Sequence, residues 1–202
     1  MSTTRTSRGR SNGVAIVSGV FAVFLLGAGA MLWLTSAPPT APAIGGPFSL
    51  AGGDGATVTE QDLKGRYALI YFGYTACPDV CPTTLQEIVR AMAALGARAE
   101  DIQPVFITVD PARDTPDAMA AYTKAFGGHI LGLTGSAAAI DAVEKEFHVY
   151  AARRRTGPNP GDYTVDHSSV LYLMGPDGRF LAPIRADEPG PAMAADIAKH
   201  LS

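Results

Sequence analysis

The chain has 202 residues, 47% of them apolar and 17% charged, with 16 Lys+Arg against 19 Asp+Glu and two cysteines. That composition excludes a disordered chain, a coiled coil and a disulfide-stapled miniprotein. A formal charge of −3 offers no basic footprint, so no nucleic acid is expected as a partner. The charge is uneven: residues 1–35 hold Arg5, Arg8 and Arg10 and no acid, which leaves a body of net −6 behind them.

Val14 to Leu34 is an uncharged run of 21 residues. At about 1.5 Å per residue a helix of that length crosses a hydrocarbon core of roughly 30 Å. It reads as one transmembrane helix, with residues 1–13 a basic cytoplasmic N-terminus, because the arginines precede the run and no Lys or Arg follows until Lys64. The alternatives are a buried core helix and a cleaved signal peptide, for which Ala28-Gly29-Ala30 and Ala41-Pro42-Ala43 have suitable small residues. The run is longer than the roughly 7 to 15 residues of a signal core, which favours an uncleaved anchor. A bacterial inner membrane, single-pass with the C-terminal domain in the periplasm, is the simplest setting. The Arg/Ser/Thr-rich start leaves the mitochondrial inner membrane, facing the intermembrane space, as the alternative. Residues 35–47, rich in Pro and Gly, read as a tether.

The body spans 48–202. Phe48-Leu50 and Thr57-Val58 flank Gly52-Gly53-Asp54-Gly55 as an N-terminal β-hairpin, and Thr59 to Leu63 reads as a capped helical turn ended by Gly65. Three strand-helix alternations follow: Tyr67–Gly73 with Cys81–Leu95, Val105–Val109 with a helix opened by Thr115-Pro116, and Ile130–Leu133 with Ser136–Phe147. Val149–Ala152 is a short strand, and 155–164 is a Gly/Pro-rich loop. Ser168–Met174 and Arg179–Ile184 form a hairpin around Gly175-Pro176-Asp177-Gly178, and Pro191–Leu201 is the last helix. That order predicts an α/β thioredoxin-like fold with a mixed central sheet.

Cys77 and Cys81 fall between the first buried strand and its helix. A separation of four puts both sulfurs on one face of a helical turn, and a helix N-terminus lowers a thiol pKa. A structural disulfide is one reading, although in the chain-entropy model so short a loop yields only about 2 kcal/mol. Redox exchange and metal binding are the others. Among four histidines, His167 stands out, because Val165-Asp166-His167-Ser168 enters the hairpin strand that a thioredoxin-like sheet places beside the cysteine loop. Thioredoxin-type oxidoreductases keep a cis-proline there, and residues 164–169 contain none. Two thiolates and an imidazole suit Cu(I), accommodate Cu(II) with a further ligand, and leave Zn(II) as a rival. On the residues alone, an unplaced histidine is more often a satisfied polar residue than a ligand.

Three separated motifs then bear on the choice: Tyr71-Phe72-Gly73-Tyr74-Thr75-Ala76-Cys77-Pro78-Asp79-Val80-Cys81-Pro82, Val109-Asp110-Pro111-Ala112-Arg113-Asp114-Thr115-Pro116 and Val165-Asp166-His167-Ser168. In order and spacing they resemble the Sco (SenC-type) copper proteins of cytochrome c oxidase assembly, across essentially the whole body. The resemblance implies a thioredoxin-like fold, copper held by Cys77, Cys81 and His167, and delivery to the CuA centre of cytochrome c oxidase subunit II. Other copper chaperones and thiol reductants are implied partners. A thiol-disulfide oxidoreductase that reduces the CuA-site cysteines, with Cys77 and Cys81 as catalytic pair, is the alternative, and copper or redox signalling a further one. A peroxiredoxin reading is set aside because Pro78 stands where those enzymes have Thr. Asp110 is expected either to tune the thiols or meet a partner, or to belong to a turn in which Asp114 or Thr115 caps the next helix. Arg153-Arg154-Arg155 is expected as a solvated loop edge or a dock for an acidic partner.

Overall fold

A computed structural model describes Met31, residues 43–127 and residues 129–201. The span expected over 14–34 therefore lies outside the described residues apart from Met31, as does most of the tether. Among the described residues no helix is long and apolar enough to cross a membrane. The chain divides into units 1–42 and 43–202, and the second is the body. Its first residues, expected in the tether, are tied down: Gly45 N donates to Glu146 O at 2.8 Å, and Ile44 packs against the core.

The N-terminal hairpin forms as expected, from β1 (Ser49–Gly52) and β2 (Thr57–Thr59). After it, the Asp62 carboxylate accepts from the Thr59 backbone and hydroxyl, both at 2.7 Å, and closes the 3-10 turn Glu60–Leu63. Strands β3 (Tyr67–Gly73), β4 (Ile102–Thr108) and β5 (Leu131–Thr134) run parallel at the centre of the sheet. β8 (Val170–Met174) pairs antiparallel with β3, and β9 (Phe180–Arg185) with β8. The seven-stranded order is β2-β1-β5-β4-β3-β8-β9, a mixed sheet. All of β3 is buried, because helices cover both faces, which is why its sequence is a continuous apolar run rather than an alternation.

Helices α1 (Val80–Leu95), α2 (Pro116–Lys124), α3 (Ala137–Glu146) and α4 (Gly190–Ala198) complete the layers. Tyr71 and Phe106 are lateral neighbours on β3 and β4, and the Phe106 ring meets Tyr122 of α2 at 5.6 Å. On the opposite face Phe72 meets Phe147, at the end of α3, at 5.4 Å. α1 and α4 approach closely: a Cβ on Gly190 would sit 2.4 Å from Arg90 Cβ.

One part of the chain departs from the sequence reading. β6 (Ala151–Arg155) and β7 (Tyr163–His167) pair antiparallel as a separate two-stranded ribbon. The 155–164 loop is thus shorter than expected, and His167 ends β7 instead of entering the β8 hairpin. Arg153 to Arg155 are strand residues, not a loop edge.

Candidate metal centre

β3 ends at Gly73, and the chain turns through residues 74–79 into α1. Cys77 N donates to Tyr74 O at 3.3 Å, which folds the loop back on itself. Asp79 precedes the helix without a side-chain capping bond, and the Cys77 sulfur takes that place, accepting from Cys81 N at 3.4 Å. Cys77 therefore sits at the helix end that exposes unpaired N–H groups. Cys77 is half-buried, Cys81 fully buried, and both are free thiols. The close seat of Cys81 depends on Gly73, since a Cβ there would lie 2.9 Å from Cys81 Sγ and 2.7 Å from the Phe106 ring.

His167 arrives from the ribbon. Its Nδ1 lies 3.0 Å from Ser168 O, and a carbonyl only accepts, so Nδ1 carries the proton. Nε2 is then the unprotonated nitrogen and accepts from the Cys81 thiol, with Sγ at 3.4 Å. The rings of Tyr71 and Tyr74 present themselves roughly edge-on to the imidazole, at 6.1 and 6.0 Å, and fix its plane. The ligand atoms of Cys77, Cys81 and His167 all lie within 4.8 Å of one another, the one such group among the described residues. Burial pushes the Cys81 thiol up to about 12, reinforced by the neighbouring Cys77 sulfur, and pushes His167 below its ordinary value. At neutral pH the imidazole is therefore a neutral ligand, whereas Cys81 must lose a proton to a metal that binds it. A cavity of about 330 Å³ opens over the group, between Cys77, Val80, Arg154 and His167. A larger cavity, about 580 Å³, lies elsewhere, beside Arg66, Gln103 and His129, and holds none of these donors.

The second motif supports this site without joining it. Asp110 is fully buried and accepts from Arg113 Nε, from Arg153 Nη2 at 3.0 Å and from Tyr163 Oη at 2.9 Å. It thereby ties the end of β4 to the ribbon that carries His167, and it makes no hydrogen bond to either thiol. Arg113 stacks 3.9 Å from the Tyr163 ring centroid, and Arg154 pairs with Asp166 at 3.1 Å, so two of the three ribbon arginines hold acids of this chain. Thr115 is the cap of α2, accepting from Ala118 N at 3.3 Å. Asp114 is buried instead and accepts from Thr75 N at 3.0 Å and from the hydroxyls of Thr75 and Thr108 at 2.6 Å each. That carboxylate clamps the cysteine loop to β4, a role sequence reasoning missed. The signal available was an acid just before a helix that already had a cap in Thr115.

The sequence profile of the SCO1/SenC family matches residues 36–202. The chain belongs to the SCO1/SenC family. The mitochondrial SCO1 homolog of Homo sapiens is 40% identical over 164 residues, 79% of this chain and 54% of that protein, so the match spans about half of the relative's length. The copper-bound ScoI of Bradyrhizobium japonicum superposes with a TM-score of 0.72 at 46% identity, over 79% of this chain and 100% of that one. Copper-bound yeast Sco1 gives 0.71 at 39% identity, over 79% and 88%. These likenesses bear out the mixed α/β fold as that of Sco proteins. The donor chemistry of the group fits the metal those two relatives hold, since two soft sulfurs and an imidazole are suited to copper.

Proposed function

We propose that this chain is a membrane-tethered copper metallochaperone, which holds copper as cargo on Cys77, Cys81 and His167. Its recipient is the CuA centre of cytochrome c oxidase subunit II. The observation that carries the reading is the convergence of three donor atoms within 4.8 Å, with the unprotonated Nε2 of His167 turned to Cys81. The copper-bound relatives support it. Residues 14–34 anchor the chain, residues 1–13 face the cytoplasm, and the body works in the periplasm at the end of its tether. Both cysteines must be reduced before loading, because a disulfide offers no thiolate. Each of the three residues contributes one bond, so the cargo can pass to a recipient's thiolates one ligand at a time. Other copper chaperones and thiol reductants are the partners that would load the site and keep it reduced.

Anaerobic Cu(I) titration of the full chain, read by X-ray absorption, tests this. One copper per chain with two sulfurs and one nitrogen is the expected result. Stoichiometric binding that survives Cys77→Ala or His167→Ala unchanged would overturn the ligand assignment.

The pair of free thiols, one half-exposed and 3.4 Å from the other's backbone N, favours a second reading. In it Cys77 and Cys81 become a disulfide and pass two electrons and two protons to the oxidised cysteine pair of the CuA site. That reaction needs no imidazole. If His167→Ala cells assembled the oxidase while either cysteine variant did not, this reading would displace the first.

A further inference from the structure

Among the described residues three buried side-chain polar atoms have no hydrogen-bond partner: Tyr71 Oη, Arg113 Nη2 and Tyr122 Oη. Tyr71 is on the strand that builds the metal centre. It lies two residues before Gly73, so the two share a face of β3, and a Cβ on Gly73 would lie 2.9 Å from Cys81 Sγ. Its ring also lies roughly edge-on to His167 at 6.1 Å. The fully buried phenol thus sits beneath both Cys81 and His167. The polar groups facing its hydroxyl are Cys81 and Thr84. Thr84 spends its own proton on Ala186 O at 3.3 Å.

A buried hydroxyl without a partner carries a desolvation cost, and such groups are rare enough to call for an account. Here the account lies in the two states of the sulfur. A neutral thiol is a weak acceptor, but a coordinated thiolate is a charged one, and hydrogen bonds to charged acceptors are roughly twice as strong as neutral ones. A phenol keeps its proton at neutral pH, so the hydroxyl can donate.

We propose that Tyr71 is a positioning residue for the metal centre, its hydroxyl donating to the Cys81 sulfur when that sulfur binds copper as a thiolate. This rests on Cys81 being a ligand. A hydrogen bond to a coordinating sulfur withdraws charge from it, stabilises the buried anionic site and tunes the copper-sulfur bond. Tyr71 is thereby the group that sets how firmly Cys81 holds the cargo.

The test compares the full-length protein with Tyr71→Phe in three measurements: the sulfur-to-copper charge-transfer band with Cu(II), Cu(I) affinity by chelator competition, and thermal melting without metal. Losing the hydroxyl should move the band to lower energy and weaken Cu(I) binding about tenfold, at the lower end of the effect of outer-shell partners. Melting without metal should be unchanged or slightly higher, because a hydroxyl with no partner has been removed. A band that stays in place overturns the proposal, whether or not affinity or melting changes, since a merely structural tyrosine would move those alone. If the parent protein binds copper with two sulfurs and one nitrogen and Tyr71→Phe matches it in all respects, only this inference fails. If the parent shows no Cys81-copper bond, the copper-site reading fails and takes this one with it.

Discussion

At the scale of single residues, the absence of a side chain matters as much as the three donors. Gly73 has ordinary strand geometry and is required by proximity, since Cys81 Sγ and Phe106 occupy the space a Cβ would need. Gly73→Ala should therefore force the sulfur outward. The expected cost is about 1–3 kcal/mol of stability by chemical denaturation, typical of overpacking, together with weaker Cu(I) binding. A glycine closing an apolar run is visible in the sequence as a site of close backbone approach, although which atom approaches is not. His167 was legible only in part. The sequence placed it near the thiols, but His167 differs from the other histidines through Ser168 O holding its Nδ1 proton, a contact the sequence does not encode.

At the scale of elements, β3, β4 and β5 were readable because burial on both faces demands continuous apolar residues, and the helices announced themselves by period and cap. The ribbon was not readable for the opposite reason. β6 has three exposed arginines and no buried residue, and β7 buries only Val165, so neither strand carries a hydrophobic pattern of its own. They exist because each supplies the other's backbone partners, Arg154 opposite Thr164 and Arg155 opposite Tyr163. Helix α3 carries a titration of its own. Burial, reinforced by Asp141, raises the Glu144 carboxyl from 4.5 to about 7. The folded state thus holds that proton more tightly than the unfolded chain, so this group's contribution to stability is full below about 4.5 and is lost as pH rises through about 7. Glu144→Gln should melt higher than the parent at pH 8, and the difference should vanish near pH 4. A melting series across that range checks both ends.

At the scale of the molecule, the site is assembled from two sheets. The cysteines belong to the junction of β3 and α1, the histidine to the ribbon, and Asp110 is a buried polar link from the end of β4 to that ribbon through Arg153 and Tyr163. Asp110→Ala leaves those donors and Arg113 without their acceptor, an expected loss of about 2–3 kcal/mol for charged hydrogen bonds. The loss should be local. Hydrogen exchange should accelerate across 151–167 while the amides of 67–73 stay protected, and uniform acceleration would show that the ribbon is not a separate unit. The sequence reading saw that Asp110 stood at the same sheet end as the thiols. It could not see that its partners Arg153 and Tyr163, both expected in a loop, would lie on paired strands.

That division of the ligands has a mechanical side. An ion bonded to Cys77, Cys81 and His167 would act as a crosslink between the central sheet and the ribbon, closing a loop of some 86 residues with a bond that can be made and undone at neutral pH. Loading would then add a second fastening of the ribbon to the one Asp110 already provides. A partner sensitive to how firmly the ribbon is held could tell the loaded chain from the empty one by its stiffness, without touching the metal.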